Sequence, residues 1–363
     1  MNNLRTHILR ILAVGDPASE LYRTDGPVTR RWMEETGMEV SVDIVPWAGY
    51  ADKAFAEVSS ENATYDALML PGLFWLPSMA SRGYLAPLKT PLPDDYWFDD
   101  IPPSLREELS FEGTHYLIPA FAEVQTVIYR QDLLEAAGLD PLPQPVSMSQ
   151  YIETVKALHN PPQVYGTHMK GGTAESFPDW LPFLAACGGR LFDGNEAPLF
   201  DSAEGLESLG MLLTLRDLSG PRAETAGNED MNSLIRQGKT GIVNHWSGQL
   251  GALMPEAAGK YGYSYLEHPW GTVWSFGIPA ASRNREAAQA YLLYVSNREN
   301  DLLQGDLSGS PVRTTTYRTG TYPWYEAVTG ALERKNSFPS FVRFADIAGN
   351  LYNMVTKVLS GNL

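Results

Sequence analysis

A single cysteine, Cys187, in 363 residues leaves the chain no internal disulfide and no cysteine-based metal cluster. Its expected role is that of a small buried apolar residue. Basic residues are also scarce: 27 Lys and Arg stand against 43 Asp and Glu, a formal net charge of −16. Nucleic-acid backbones and anionic membrane surfaces both require clustered cations, so neither is expected as a partner. No apolar run approaches the length of a membrane-spanning helix. The six histidines, His7, His115, His159, His168, His245 and His268, are scattered singly, and no metal site is expected. Also missing are H-E-x-x-H, a phosphate loop ending Gly-Lys-Ser/Thr, G-x-G-x-x-G after a strand, and the G-x-S-x-G elbow. These absences weigh against an enzyme and against a bound cofactor. An acidic pair such as Asp16 and Glu123 has no fixed spacing in glycoside hydrolases, so that chemistry stays open as the enzymatic alternative.

What is present is enough apolar material for two cores. The chain is too long for one ordinary core, and 44% of its residues are hydrophobic. A strand is expected at His7–Val14, ending in Gly15-Asp16-Pro17, followed by a helical pattern carrying Leu21, Val28, Trp32 and Met33. The alternation of Val40, Val42 and Ile44 predicts a strand over Glu39–Val45, closed by Pro46-Trp47-Ala48-Gly49-Tyr50. A helix over Ala51–Ser59 and a third strand over Tyr65–Gly72 complete a β-α-β-α-β run. Such a run predicts a largely parallel sheet with helices on its faces. Ligands of such sheets lie beyond the carboxyl ends of the strands, a rim that here holds Asp16, Trp47, Tyr50, Phe74 and Trp75.

The central stretch Glu112–Leu139 starts at a Gly113 turn and enters an apolar strand at Tyr116–Ile118. A break is expected at Pro119, then a β-branched strand at Thr126–Tyr129 and a helix capped by Asp132 and ended by Gly138. Two short strands with an irregular joint describe a candidate hinge. Further on, Ser147-Met148-Ser149-Gln150 has capping-box spacing, and Met148, Tyr151, Ile152, Val155 and Leu158 define a buried helical face. Tyr165–Gly172 reads as a strand ending in a loop. The segment Pro198–Gly205 introduces a helix carrying Leu206, Leu209, Leu213 and Leu218.

Residues 112–139 resemble the crossover of the bacterial extracellular solute-binding proteins of family 1, the maltose-binding-protein-like receptors of ABC importers. That crossover has the form D/E-G-K-x-Y-x-(L/I)-P, then (V/L)-(I/L)-Y-(Y/N)-(R/K)-x-D-L-(F/L)-x-x-A-G-(L/I). The likeness extends through Tyr65–Leu88, Tyr165–Gly172, Trp180–Gly189, Ile235–Asn244 and Trp274–Asn284. It covers residue 7 to about residue 360. One departure is the short region Ala257–Trp270, where Trp270-Gly271-Thr272-Val273-Trp274 replaces a commonly Gly/Pro-rich loop.

The resemblance implies an α/β, two-lobed periplasmic-binding-protein fold, each lobe a mostly parallel sheet flanked by helices, with a ligand cleft at the hinge. The implied N-terminal lobe is 1–121 with 275–318, and the C-terminal lobe is 122–274 with 319–363. It further implies a monomeric receptor, periplasmic or extracellular, that binds a small carbohydrate and meets ABC permease subunits. Residues Met1 to His7 lack the apolar core of a signal peptide, so the expectation is a chain expressed without its native one. The crossover places Glu123 where sugar-binding members hold a carboxylate. Ionised, such a group offers several lone pairs to ligand hydroxyls.

Nine tryptophans suit a sugar, whose apolar C–H face a flat indole can cover while polar groups address the rim. Trp75, Trp246, Trp270 and Trp274 are the expected stacking rings. Lys170, Asn244 and Arg313 are candidate polar contacts, and Trp97, Trp180 and Trp324 are assigned to packing. A phosphorylated ligand finds only Lys170 and Arg313 at the expected rim. Asp16, Glu123 and Glu267 keep an amino sugar open, and a non-sugar solute such as a polyamine or a peptide is the remaining alternative.

Overall fold

The structure is a computed structural model, and it describes residues 8–172, 175–257 and 259–361. The chain divides into two compact units. The first comprises the chain up to Glu123, Thr272–Gly320 and Phe338–Ala345; the second comprises Val124–Gly271, Thr321–Ser337 and Asp346 onward. The segment Phe338–Ala345, given to the C-terminal lobe by the expected boundaries, belongs to the first unit. The reason is aromatic: Phe338 and Phe344 pack on Phe74, with ring centroids 5.0 and 5.2 Å away.

In the first unit the strand order is Val40–Pro46, Leu9–Gly15, Ala67–Pro71, the return strand Gly271–Gly277 and then the long strand Leu117–Arg130. Leu9–Gly15 pairs in parallel with both of its neighbours, Leu9 opposite Val40 and Ile11 opposite Ala67. Every residue of Ala67–Pro71 is buried, as a strand covered on both faces requires. The return strand runs antiparallel to it, setting Trp274 opposite Pro71. His7, the expected start of the first strand, lies outside the described residues.

The long strand corrects the expected hinge: Leu117–Arg130 is one continuous strand of 14 residues, and Pro119 does not interrupt it. In the first unit this strand ends the sheet order, and an edge is where a residue without an N–H is tolerated. Side chains engage its carbonyls instead, the Tyr22 hydroxyl donating to Ala120 O at 2.7 Å and the Ser310 hydroxyl to Ala122 O.

In the second unit the strand pairs antiparallel with Ile242–Trp246 and with Tyr261–Ser264, so parallel pairing between named strands belongs to the first unit. Tyr165 and Thr167 make isolated parallel bridges rather than the expected strand. Asp132 is not the N-cap residue either. The helix Gln131–Ala136 takes Arg130 as its N-cap residue, and both Asp132 carboxylate oxygens accept from the Arg130 guanidinium. The capping box at Ser147 and Gln150 is formed. The helix Ala203–Asp217 turns Gly205, Ser208, Leu212 and Leu215 inward and leaves Leu206 71% exposed, because its apolar residues do not fall on a single face.

Candidate functional site

Each unit carries a cluster of the residues singled out in the sequence. In the first, Pro46 ends its strand and Trp47 follows. Gly49 then turns the backbone at φ 91°, a conformation that favours glycine, and the helix proceeds from Tyr50. Gly72, at φ 31°, makes the corresponding turn after Pro71 and brings Phe74 and Trp75 onto the first turns of the next helix.

These turns and the register of Trp274 assemble one aromatic wall. Trp75 stacks with Trp47 at 5.8 Å and 19°, and with Tyr50 at 6.1 Å and 12°. Trp274 meets Trp47 edge-on at 5.6 Å and stacks on Phe121 at 6.1 Å and 22°. Trp47 is half-buried and the other rings are buried. The Trp274 Nε1–H donates to Glu123 Oε2 at 2.8 Å, joining the carboxylate to the aromatic wall. Glu123 is 8% exposed, so it is not the surface glutamate that its charge alone would suggest.

Three rim residues have structural work. Asp16 Oδ1 accepts from Ala18 N at 2.8 Å and caps the short helix Pro17–Tyr22. Tyr50 is fully buried, its hydroxyl donating to Met69 O at 2.7 Å. Arg313 is fully buried as well: it donates to Trp97 O and Ser296 O, each at 2.9 Å, and lies over the Tyr96 ring. Trp180 and Trp324 are core residues as expected, but Trp97 is 57% exposed, with the Arg298 guanidinium over its ring.

The second unit holds a polar cluster. Lys170 is fully buried, with Nζ 3.3 Å from Asp179 Oδ1 and 5.3 Å from the centre of the Trp246 ring. Asn244 and Trp246 alternate onto one face of their strand, opposite Val127 and Gln125. Both amide atoms of Asn244 lack a hydrogen-bond partner among the described residues, although the side chain is buried. A cavity of about 20 Å³, room for a single water, is lined by Asn244, His168, Asp179, Tyr151 and Thr167 among others. Trp270 is half-buried, and its backbone exchanges hydrogen bonds with Gln125, whose N–H donates to Trp270 O at 2.9 Å.

Burial dominates the electrostatics of this cluster. It pushes the Asp179 carboxyl up to about 6 against the opposing pull of Lys170. His168 is pushed down to about 4 by burial, with Asp230 and Glu224 opposing, and His245 is pushed well down by burial and by Lys170. Asn232 donates to Gln249 Oε1 at 2.9 Å and offers its oxygen to His245 Nε2 at 2.9 Å, which assigns the His245 proton to Nε2. Asp179, Gln125 and His168 were not proposed as site residues from the sequence. The one signal for Asp179 was its place directly before the Trp180–Gly189 segment.

An α/β chain of two units with an aromatic wall, a carboxylate on that wall and a buried polar cluster has the makings of a binding protein for a small polar solute. Residues 18–301 match the bacterial extracellular solute-binding proteins, and the chain belongs to that family. It is similar to a mannitol-binding protein of Pseudomonas aeruginosa, 28% identical over 284 residues, covering 73% of this chain and 64% of that protein's length. A probable amino-acid ABC transporter periplasmic-binding protein of Sinorhizobium fredii is 24% identical over 322 residues, covering 85% of this chain and 73% of that one. The fold is that of the ABC transporter solute-binding protein of Agrobacterium radiobacter K84, solved in complex with ribitol. The TM-score is 0.87 and the identity 21%, over 100% of this chain and 96% of that chain.

Proposed function

We propose that the chain binds a neutral polyhydroxylated solute, a sugar or sugar alcohol, and hands it to the permease of an ABC importer outside the cytoplasmic membrane. The observation that carries this reading is the Glu123 carboxylate, held by the Trp274 indole N–H, on the wall in which Trp47 and Trp75 stack in the first unit. Rings of this kind cover C–H faces, and a carboxylate accepts from hydroxyl donors. In the second unit we assign binding to Lys170, Asn244, Trp246 and Trp270. Because Lys170 is already paired with Asp179, its charge is not offered unopposed to an anionic ligand. The mannitol and ribitol in the names of the similar proteins agree with this class.

The same reading holds that the solute leaves chemically unchanged. Of the acidic pair considered for glycoside hydrolysis, Asp16 is engaged in capping its helix and Glu123 in accepting from an indole. The receptor is proposed to act as a monomer in the periplasm or on the cell exterior.

A thermal-shift panel of D-mannitol, ribitol, maltose and L-glutamate tests the class. A solute at about a hundredfold over its Kd stabilises the fold by roughly 2.7 kcal/mol. A shift with a polyol or sugar supports the reading. A shift with L-glutamate alone would transfer the chain to the amino-acid class named for its Sinorhizobium relative.

A further inference from the structure

We propose that Trp274 is a positioning residue that fixes which way the Glu123 side chain faces, rather than a ring on which the solute stacks. The proposal rests on the reading that Glu123 meets the solute. Trp274 donates Nε1–H to Glu123 Oε2 at 2.8 Å. An indole N–H is a donor only and an ionised carboxylate an acceptor only, so the pair has one possible polarity. Neither partner is free to swing away. The Trp274 ring stacks on Phe121 and is met edge-on by Trp47, Tyr50 and Trp75. The backbone leading to Glu123 is held at Ala120 O by Tyr22 and at Ala122 O by Ser310.

With Phe121 stacked on it, Trp47, Tyr50 and Trp75 around it and only 7% of its surface exposed, Trp274 offers the solute little flat surface, while its polar edge sets the carboxylate before any solute arrives. A carboxylate oriented beforehand costs less ordering on binding than one that must be recruited. It also makes the site selective for the residue at position 123. In Glu123→Gln the indole claims the amide oxygen, and the NH2 group is turned to where the solute's hydroxyl donors arrive.

This predicts a rescue. Glu123→Gln should weaken binding of D-mannitol or ribitol by on the order of thirtyfold, and Trp274→Phe alone by about tenfold. In the double variant the amide is released and can present its oxygen, so the loss should be no greater than that of Glu123→Gln alone. Independently of any solute, the indole ¹H–¹⁵N resonance that disappears in Trp274→Phe should move in Glu123→Gln. Losses that multiply in the double variant, a Trp274→Phe variant that binds like the parent, or an indole resonance indifferent to Glu123→Gln would each overturn the positioning role and leave the proposed function standing. If Glu123→Gln itself binds both polyols like the parent, the assignment of Glu123 falls, and this inference with it. If neither polyol binds the parent, the polyol reading falls, and the resonance decides the Trp274 role by itself.

Discussion

Replacing His168 by Leu should make the protein less sensitive to acid. His168 is buried in the second unit, and neither ring nitrogen has a hydrogen-bond partner among the described residues. Burial lowers it from the ordinary 6.5 to about 4, despite Asp230 and Glu224, which pull the other way. The folded state therefore takes up this proton later than the unfolded state. The contribution of His168 is full above pH 6.5 and is lost as pH falls toward 4, where the total approaches roughly 3 kcal/mol. At pH 5 about 2 kcal/mol of it is already gone. The leucine side chain carries no proton, and whatever it costs or gains in packing is the same at both pH values. Urea unfolding followed by tryptophan fluorescence at pH 7.5 and pH 5 supplies the comparison. Relative to the parent, the variant should gain about 2 kcal/mol between the two, with unchanged denaturant slope. Parallel pH dependence in parent and variant would refute the reasoning and mean that the imidazole finds a solvent or acid partner as it charges.

Asp179→Asn should behave with the opposite sign. The folded pKa, about 6, lies above the usual 3.8, so the carboxyl favours the fold at low pH and loses that contribution as pH rises through 6. Relative to the parent, this variant should gain about 2 kcal/mol from pH 4.5 to 7.5 in the same urea series. If it loses stability instead, attraction to Lys170 outweighs burial. Gly72→Ala should cost about 1–3 kcal/mol, read as a lowered urea midpoint, because φ is positive there and a Cβ would run into the Glu108 carboxylate. An unchanged midpoint would show that Glu108 moves aside without cost.

Local signals carried the fold well where they were independent of distant contacts. The alternation of Val40, Val42 and Ile44 marks a strand, and the Ser147–Gln150 capping box starts its helix where the spacing puts it. Signals failed where a distant partner decided the outcome. Pro119 reads as a break, yet Tyr22 and Ser310 supply hydroxyls to the neighbouring carbonyls and the strand continues. Asp132 reads as a cap, but the guanidinium two residues earlier holds it.

The site shows the same division. Position in the crossover marked Glu123, residue type at expected strand ends marked Trp75 and Trp274, and these three do share one cluster. What residue type could not reveal was allegiance: Asp16 serves a helix end, Tyr50 a pair of strand carbonyls and Arg313 the carbonyls of Trp97 and Ser296. Asp179 went unnoticed because a single acid inside an apolar helix has no periodic signature. Only its meeting with Lys170 gives it meaning.

The most direct test of the account is titration calorimetry of the parent with D-mannitol and ribitol, followed by recovery of the solute. The account predicts saturable heat with at least one of them, binding weakened on the order of thirtyfold in Glu123→Gln, and solute recovered chemically intact. Binding of an amino acid with no heat from any polyol or sugar, or turnover of the recovered solute, would contradict it.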